Sequence, residues 1–373
     1  MAIALATLLS AGCSAGSDSD GGPWLSVSAG AYHSCAVARD HRAFCWGNNL
    51  YGALGDGSTE RRLTPVPVSG DIPFDSISAG YDYTCALTAN GEAWCWGENF
   101  GGQLGDGSRS NRLVPVRVQT GERFRTLSAG EAHTCGIGRS GTSYCWGAPL
   151  ATDGNGTNPP DQLIPAVLPG PAFAQVVSGY EIACARTESG DPWCWGLLVP
   201  GIRFADTTQL SINVPAPVEA NGLQFVEVGA GSKHACGITT QGAAWCWGLN
   251  PGGQLGDGTQ SPSLTPRQVL GGIVFAKLAG HGPSHACGLS VDGTAWCWGA
   301  NAQGALGNGT RSPGLAPVQV AGNLRFASLS AGFHHTCAVT LDGRAWCWGY
   351  GGLGQLGNGD SADVVQPVEI TSP

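Results

Sequence analysis

Cysteine is the residue whose spacing says most about chemistry in this chain. Fourteen of the 15 cysteines form seven pairs with nine residues between partners. A zinc site needs a second pair close by, which C-x9-C lacks, so we predict disulfides. Such regular pairing indicates an oxidising compartment, because cytosolic reductants keep thiols reduced. The predicted pairs are Cys35 with Cys45, Cys85 with Cys95, Cys135 with Cys145, Cys184 with Cys194, Cys236 with Cys246, Cys287 with Cys297 and Cys337 with Cys347.

The fifteenth cysteine, Cys13, indicates lipid attachment. Residues 2–9 form an apolar run too short to span a bilayer but typical of a signal peptide. Residues 8–13 resemble a bacterial lipobox, although Ser10 stands where leucine is usual and no Lys or Arg precedes the run. We expect a lipoprotein signal peptide over residues 1–12 and a lipidated Cys13 on a flexible linker through residue 23. The alternative is an unmodified thiol on a disordered tail.

Histidine recurs two residues before the first cysteine of five pairs. A ring of imidazoles around a channel could bind a metal ion. Tyr83 and Ile182 occupy the same position in the other two repeats, which favours a structural hydrogen bond within each repeat. The five residues are His33, His133, His234, His285 and His335.

Glycine-rich loops offer two further motifs. Residues 352–357 match G-x-G-x-x-G, but no strand-to-helix context follows, so this is a repeat loop rather than a dinucleotide site. An acidic or amide residue between glycines could bind a cation but more often forms an Asx turn. No catalytic set recurs, and no pattern calls for a cofactor. The loop residues are Asp56, Asp106, Asp257, Asn308 and Asn358.

Composition limits the fold that must position these residues. The chain has 373 residues, including 60 glycines and 23 prolines, which disfavours long helices. Apolar residues make up 42% and there are 13 tryptophans, enough for a large core. The net charge is -9 and the basic residues are scattered, so nucleic acid is a poor candidate partner. A folded, turn-rich, all-β protein is predicted.

A sevenfold repeat organises the chain. The triplet Cys-Trp-Gly begins at 45, 95, 145, 194, 246, 297 and 347, at intervals of 49 to 52 residues. Short apolar runs separated by Gly, Asn-Gly and Pro predict about four short antiparallel strands per repeat. We therefore predict a seven-bladed β-propeller over residues 24–373.

The hairpin between paired cysteines has a predictable register. Glycine lies six residues after the first cysteine in six repeats, and His41 takes that position in the first. A three-residue loop with this residue in the left-handed conformation places the two cysteines directly opposite. A two-residue turn would put the two sulfurs on opposite faces, so cysteine pairing selects the longer loop.

Aromatic residues flank each second cysteine. Because side chains alternate along a strand, both flanking aromatics share one face and the disulfide lies on the other. Stacked blades would then alternate aromatic and disulfide layers, with both faces buried.

The repeats resemble those of the regulator of chromosome condensation family, in the pattern SAGxxHTCAL, DGxxWCWGxNxxGQLGDG and PVxV. The resemblance covers residues 24–370 and implies a seven-bladed propeller; the cysteine pair is similar to exported bacterial members. Nuclear members promote guanine-nucleotide exchange on a small GTPase, a partner that an exported chain would not meet. The plant UV-B photoreceptor uses Trp in GWRHT, where this chain has Ala31, Tyr81, Glu131, Tyr180, Ser232 or Phe333. A bacterial relative inhibits β-lactamase with loop aromatics on one face.

These features predict a non-enzymatic, extracytoplasmic binding module. We expect a monomer, lipid-anchored in the bacterial cell envelope or secreted, whose propeller loops bind a protein or a surface glycan. The membrane contact would be the lipid anchor alone. The alternative is a hydrolase or lyase at the channel mouth, which an electronegative pocket with two or more carboxylates would favour.

One candidate partner site follows from divergence between repeats. Repeats three and four replace the Leu-Gly-Asp/Asn-Gly loop, and their loops should lie side by side. A mixed apolar and arginine cluster is typical of a binding hot spot. Neutral drift in these loops is the alternative. The candidate residues are Leu198, Ile202, Arg203 and Phe204.

Overall fold

The computed structural model describes residues 22–150, 160–196, 214–279, 282 and 284–371. Every regular element in these ranges is a strand, and the 28 strands form seven four-stranded antiparallel sheets. Each sheet uses four consecutive strands, so each repeat forms one blade. The predicted seven-bladed, all-β propeller is confirmed. Within the described ranges no helix could span a bilayer.

The strands of the first four blades are β1 (Trp24–Ala29), β2 (His33–Ala38), β3 (Ala43–Gly47), β4 (Arg62–Pro67); β5 (Phe74–Ala79), β6 (Tyr83–Thr88), β7 (Ala93–Gly97), β8 (Arg112–Arg117); β9 (Phe124–Ala129), β10 (His133–Gly138), β11 (Ser143–Gly147), β12 (Gln162–Val167); β13 (Phe173–Ser178), β14 (Ile182–Thr187), β15 (Pro192–Gly196), β16 (Ala216–Pro217). Those of blades five to seven are β17 (Phe225–Ala230), β18 (His234–Thr239), β19 (Ala244–Gly248), β20 (Ser263–Gln268); β21 (Phe275–Ala279), β22 (His285–Ser290), β23 (Ala295–Gly299), β24 (Gly314–Gln319); β25 (Phe326–Ala331), β26 (His335–Thr340), β27 (Ala345–Gly349), β28 (Val364–Glu369).

The hairpin between the second and third strands has the predicted register. In the first blade Cys35 faces Cys45, and the same pairing occurs in all seven blades. His41 has a φ of 64°, as the three-residue loop requires. Its amide donates to the Ala38 carbonyl at 2.9 Å, which closes the turn. The six glycines at this position also have positive φ, a conformation that a residue without Cβ adopts at little cost.

A disulfide closes the hairpin of every blade, as the cysteine spacing predicts. The Cα atoms of each pair lie 4.0 to 4.1 Å apart, because the register sets the two residues directly opposite. The seven bonds join Cys35 to Cys45, Cys85 to Cys95, Cys135 to Cys145, Cys184 to Cys194, Cys236 to Cys246, Cys287 to Cys297 and Cys337 to Cys347.

Each disulfide packs against the aromatic face of the next blade. Cys35 and Cys45 share a core with Trp96, and Cys337 and Cys347 share one with Trp46, so the alternating layers continue around the ring.

Burial of the two layers departs from the prediction in two respects. The aromatic before the second cysteine is half-buried in six blades, and only Phe44 of the first blade is buried. Thirteen of the paired cysteines are buried, whereas Cys145 of the third blade is partly exposed. The prediction that both faces are buried therefore holds fully for the tryptophan that follows the second cysteine and for six of the seven disulfides.

The first strands of the blades surround a central channel, because first strands of adjacent blades contact one another. Serines on these strands tie neighbouring blades together. The amide of Ala79 donates to Ser28 Oγ of the preceding blade at 2.9 Å. The equivalent amides of Ala129, Ser178 and Ala29 donate to Ser78, Ser128 and Ser330.

Three of the five recurring histidines, His33, His285 and His335, bond to the following blade rather than within their own, which corrects the sequence-based interpretation. His133 Nε2 and both ring nitrogens of His234 have no hydrogen-bond partner among the described residues. His33 Nε2 lies 2.8 Å from Thr84 Oγ1 in the next blade, and His335 Nε2 lies 2.8 Å from Ser34 Oγ. Burial lowers the pKa of His33 to about 4, so the ring is neutral at pH 7. The hydroxyl partner comes just before the first cysteine of the following repeat, so the bond spans one full period.

At the seam where the ring closes, blades seven and one make the same contact that links successive blades elsewhere. The Phe74 amide donates to the His41 carbonyl at 2.8 Å, from the start of one blade to the hairpin of the previous one. At the closing seam the Trp24 amide donates to the Gly343 carbonyl at 3.1 Å, and the Gly22 amide donates to Asp342. Blade one therefore docks on blade seven as an internal neighbour would.

Candidate functional site at the channel mouth

Strand direction brings two kinds of loop to one end of the propeller, here called the mouth face. The turns between first and second strands lie there, as do the loops after each Trp-Gly. The Asn48 amide donates to the Tyr32 carbonyl at 2.9 Å, and the Glu98 amide donates to the Asp82 carbonyl at 3.0 Å, which joins the two kinds of loop. The opposite end carries the cysteine hairpins and is here called the hairpin face.

Four aromatic rings meet over the channel and form what we call the aromatic cap. They come from blades one, two, four and seven, and their centroids lie 5.3 to 6.0 Å apart. Tyr180 and Phe333 belong to blades that face each other across the ring, so their 5.3 Å contact lies near the channel axis. Edge-to-face packing suits such rings because the positive edge of one meets the negative face of another. The cap consists of Tyr32, Tyr81, Tyr180 and Phe333.

Four carboxylates from blades two to four border the cap and form what we call the acidic arc. Asp82 is only 8% exposed and accepts a hydrogen bond from Asn48 Nδ2 at 3.1 Å. Glu181 forms an ion pair with Lys233 Nζ at 2.9 Å. The arc consists of Asp82, Glu98, Glu131 and Glu181.

Burial and the crowding of like charges raise the pKa values of carboxylates in the acidic arc. Burial raises the pKa of Glu98 to about 7, and the charges of Asp82 and Glu131 add to the shift. Burial also raises the pKa of Glu131, with a further contribution from the charge of Glu181. Each carboxylate disfavours ionisation of its neighbours, so a positive charge entering the arc would favour the ionised forms.

The channel below the cap has a different lining. It encloses about 340 Å³ and is bordered by small and apolar residues of the first strands and by Tyr180. Within the described ranges no carboxylate borders this cavity. The negative charge is therefore concentrated at the mouth rather than along this cavity.

Beside the arc, the loops of blades one and two expose an apolar rim, defined as Leu50, Tyr51 and Phe100. Leu50 is 62% exposed and Phe100 is 58% exposed. Tyr51 packs edge-to-face on Phe100, with centroids 5.5 Å apart. The later repeats with this loop carry smaller residues or proline at the position of Leu50 and Phe100. The rim is therefore specific to two adjacent blades and is not needed to build the loop.

The acidic loop residues between glycines have internal partners instead of an open coordination site. Asp56 Oδ1 accepts hydrogen bonds from the amide and hydroxyl of Ser58 and from Asn49 Nδ2, and Arg62 pairs with Oδ2. Asp106 has the same arrangement. Within the described ranges no group of three or more His, Cys, Asp or Glu residues is placed to hold a metal ion. The Asx-turn interpretation therefore accounts for these loops.

The residues predicted as sites from the sequence fall in different places. Leu198, Ile202, Arg203 and Phe204 lie outside the described residues, as does Cys13. The sequence located only the alternative hydrolase or lyase at the channel mouth and assigned no residues there, although Tyr81, Glu131, Tyr180 and Phe333 stand at the repeat position of the photoreceptor motif. That position and the one after it change from repeat to repeat, while the glycine before them does not, and this contrast is the signal that could have identified the site.

Comparison with known sequences supports the repeat assignment. Five segments match the family described as "Regulator of chromosome condensation (RCC1) repeat", at residues 40–87, 90–137, 241–287, 292–339 and 342–373. A second description of the same repeat matches residues 24–53, 74–103, 225–254 and 326–355. Together these segments cover more than half of the chain.

Curated relatives are similar over part of their length. Ultraviolet-B receptor UVR8 of Arabidopsis thaliana is 31% identical over 165 residues, which cover 43% of this chain and 37% of the receptor. Probable E3 ubiquitin-protein ligase HERC6 of Homo sapiens is 30% identical over 148 residues, covering 39% of this chain and 14% of the ligase. The matched region thus spans little more than a third of the receptor and far less of the ligase.

Solved structures share the architecture. Prp20p of Saccharomyces cerevisiae has a TM-score of 0.78 at 22% identity, covering 93% of this chain and 87% of that one. Human WBSCR16 has a TM-score of 0.73 at 20% identity, covering 84% and 86%. At this level of identity the likeness concerns the fold.

Proposed function

Because the chain belongs to the regulator of chromosome condensation repeat family, we propose that it is a non-enzymatic binding module that captures a partner at its mouth face. The observation that carries this proposal is the apolar rim beside the aromatic cap and acidic arc. Exposed aromatic and apolar side chains next to buried charges are the composition of interface hot spots. The uniform repeat residues account for folding and leave these residues without a structural role of their own.

The proposed setting is extracytoplasmic. Seven intrachain disulfides are consistent with an oxidising compartment. Signal-peptide cleavage before Cys13 and lipidation of that residue would hold a monomeric propeller just off the bacterial membrane, on a linker that ends where Gly22 docks on blade seven. Cys13→Ser should release the protein from the membrane fraction into the periplasm or medium. Retention of this variant in the membrane fraction would contradict the anchor.

A protein is the favoured partner class over a surface glycan. The relatives supply a precedent, since the Prp20p structure concerns its binding to Gsp1p and histones, and another shows Kap60 bound to yeast RCC1. Those partners belong to those proteins. What supports a protein here is the rim, because apolar side chains of a protein surface would be buried against Leu50 and Phe100.

The test is capture from the native envelope with matched variants. Phe100→Ala and Leu50→Ala should each weaken capture by about 1 kcal/mol or more, while thermal stability stays unchanged because both side chains are exposed. Leu341→Ala is the control, since Leu341 is 66% exposed on the hairpin face. Equal capture by all three variants would contradict a site at the mouth face.

The divergent loops of repeats three and four are a second candidate contact region, proposed from the sequence. Phe204→Ala and Arg203→Ala are expected to weaken capture by about 1 kcal/mol each if those loops contribute to binding. Unchanged capture would leave the rim and the mouth as the contact region.

A hydrolase or lyase at the mouth is a second candidate function, favoured by one observation. The pKa of Glu98, raised by burial to about 7, would suit a general acid beside an ionised carboxylate. Turnover of envelope polysaccharide that Glu98→Gln abolishes would favour this function. Turnover that the variant leaves unchanged would remove it.

A further inference from the structure

We propose that the mouth accepts one basic side chain, lysine or arginine, from the protein partner, inserted between the acidic arc and the aromatic cap. This inference rests on the proposed binding function and names the chemistry that the mouth recognises.

The arc carries more negative charge than the surrounding cations balance. Glu181 is paired with Lys233, but within the described ranges Asp82, Glu98 and Glu131 have no ion-pair partner. The hydrogen bonds to Asp82 and Glu98 come from the neutral amides of Asn48 and Gln103. One added positive charge would reduce the repulsion between these carboxylates, which burial has already made costly.

Tyr180 provides an independent indication of a ligand. The residue is only 7% exposed, yet its hydroxyl makes no hydrogen bond to the described residues. Its ring packs on Tyr81 and Phe333 in the cap and also borders the channel. The charges of Glu131 and Asp82 act on this hydroxyl and help to raise its pKa, after the larger effect of burial. An unpartnered hydroxyl on a buried side chain, within the influence of these carboxylates, is placed to accept a hydrogen bond from a cationic donor.

The spread of the carboxylates favours an organic cation over a metal ion. No three acidic side chains of the described ranges approach closely enough to hold a metal. A guanidinium or ammonium group needs no such convergence, because it can bond to separate carboxylates through several N–H donors. The aromatic rings add to this preference, since ring faces attract organic cations.

The position of the apolar rim favours a side chain on a protein surface. Phe100 follows Glu98 by two residues, so apolar contact and the acidic arc lie on one continuous loop. A basic residue flanked by apolar residues on the partner would meet both regions at once. Such a pattern is typical of interfaces, where a charged anchor enters a pocket and apolar contacts exclude water around it.

The probe is a fluorescein-labelled peptide with one central arginine between two leucines, compared with a twin that carries citrulline instead. Citrulline keeps the length and planar head group of arginine but has no charge. By fluorescence anisotropy we expect the arginine peptide to bind the full-length protein about tenfold more tightly than its twin. The preference should weaken as salt rises, because screening reduces the attraction.

Variants assign the preference to the mouth. The double variant Glu98→Gln/Glu131→Gln should lose the preference for arginine, and Tyr180→Phe should reduce it about threefold, the range of a single lost hydrogen bond. Glu188→Gln, which removes one carboxylate at an exposed residue of the hairpin face, should leave the preference intact. Unchanged thermal unfolding shows that each variant is folded.

The outcomes separate this inference from the proposed function. Equal affinity for the two peptides, including no measurable binding of either, overturns the inference, as does an arginine preference that survives in the double variant. Capture of the envelope partner is measured in parallel. Capture that depends on Phe100 but not on Glu98 and Glu131 supports the binding function while overturning the basic side chain as its ligand.

Discussion

The two ends of the propeller differ in how closely they follow the repeat. At the hairpin face every blade has the same cysteine pair and the same left-handed turn position, held by glycine in all but the first blade. At the mouth face, the turn between the first and second strands contains a glycine, and the residue after that glycine differs between blades. In blades one to four it is Ala31, Tyr81, Glu131 and Tyr180. Repeated residues at one end build the ring, and unrepeated residues at the other end give it a single, asymmetric site.

This difference separates stability from recognition within one fold. Changes to repeated residues should cost stability and leave binding unchanged, while changes to the mouth should do the reverse. Measurements on single residues test whether stability and binding are separated in this way.

The largest effect is expected from a repeated tryptophan. Trp298 is fully buried, and its indole N–H donates to the Gln254 carbonyl at 2.9 Å. Trp298→Ala should lower the free energy of unfolding by about 3–5 kcal/mol, because it leaves a cavity between two blades and an unpaired carbonyl. Urea unfolding measures this loss, with the exposed Leu341→Ala as control. A loss no greater than that of the control would mean that the aromatic layers do not hold the blades together.

Removal of one disulfide should have the next largest effect. The pair Cys85→Ala/Cys95→Ala opens a loop of about eleven residues and should cost about 2–3 kcal/mol in the chain-entropy model. Partner capture should be unchanged, because both cysteines are fully buried between blades and are not part of the mouth surface. A variant that unfolds like the parent protein but captures less partner would reverse the assignment of roles to the two ends.

The acidic arc should make stability depend on pH in a specific direction. The pKa of Glu98 in the folded protein, raised by burial to about 7, exceeds its ordinary value of 4.5, so the folded state holds the proton more tightly. This contribution is complete below pH 4.5 and is lost as the pH rises through 7. The stability of the parent relative to Glu98→Gln should therefore increase as the pH falls from about 8 to about 5.

Unfolding experiments at several pH values test the Glu98 effect. The buried histidines contribute in the opposite direction, because burial lowers the pKa of each, as for His285 to about 3. That contribution is common to both proteins and cancels in the comparison. Parallel pH profiles of the parent and Glu98→Gln would show that Glu98 has no raised pKa in solution.

The smallest effect concerns the one hairpin turn without glycine. His41→Gly should raise the free energy of unfolding by up to about 1 kcal/mol, because it removes a side chain from the left-handed conformation. Gly91→Ala at the equivalent position should act in the opposite direction, since its Cβ would lie 2.5 Å from the Phe124 carbonyl oxygen. Effects of the same sign in both variants would show that turn conformation is not the determining factor.

The fold could be predicted in detail because its determinants are local and repeated. The cysteine pair and the glycine six residues later define the register of each hairpin, as the pairing of Cys85 with Cys95 shows. The predicted location of the histidine bonds was wrong, because a repeat looks the same in every blade. Sequence alone does not show whether the partner of His33 lies in its own repeat or in the next, where Thr84 provides it.

The mouth could not be predicted from the sequence for a different reason. Tyr180 and Phe333 are separated by about half the length of the propeller and meet only because the ring brings opposite blades together across a narrow channel. No local pattern records that contact. The raised pKa of Glu98 likewise depends first on its burial and then on the charges of Asp82 and Glu131, whose side chains are gathered by the turns of two blades.

The closing seam also determines how the ring responds to mechanical force. The chain enters blade one at Gly22 and Trp24, which are the residues that dock on the hairpin of blade seven. Tension applied to the chain ahead of Gly22 is therefore carried first by these two hydrogen bonds and by the Trp24 side chain in the shared core. A propeller tethered at that end therefore has its force-bearing contact and the closure of its ring in the same place.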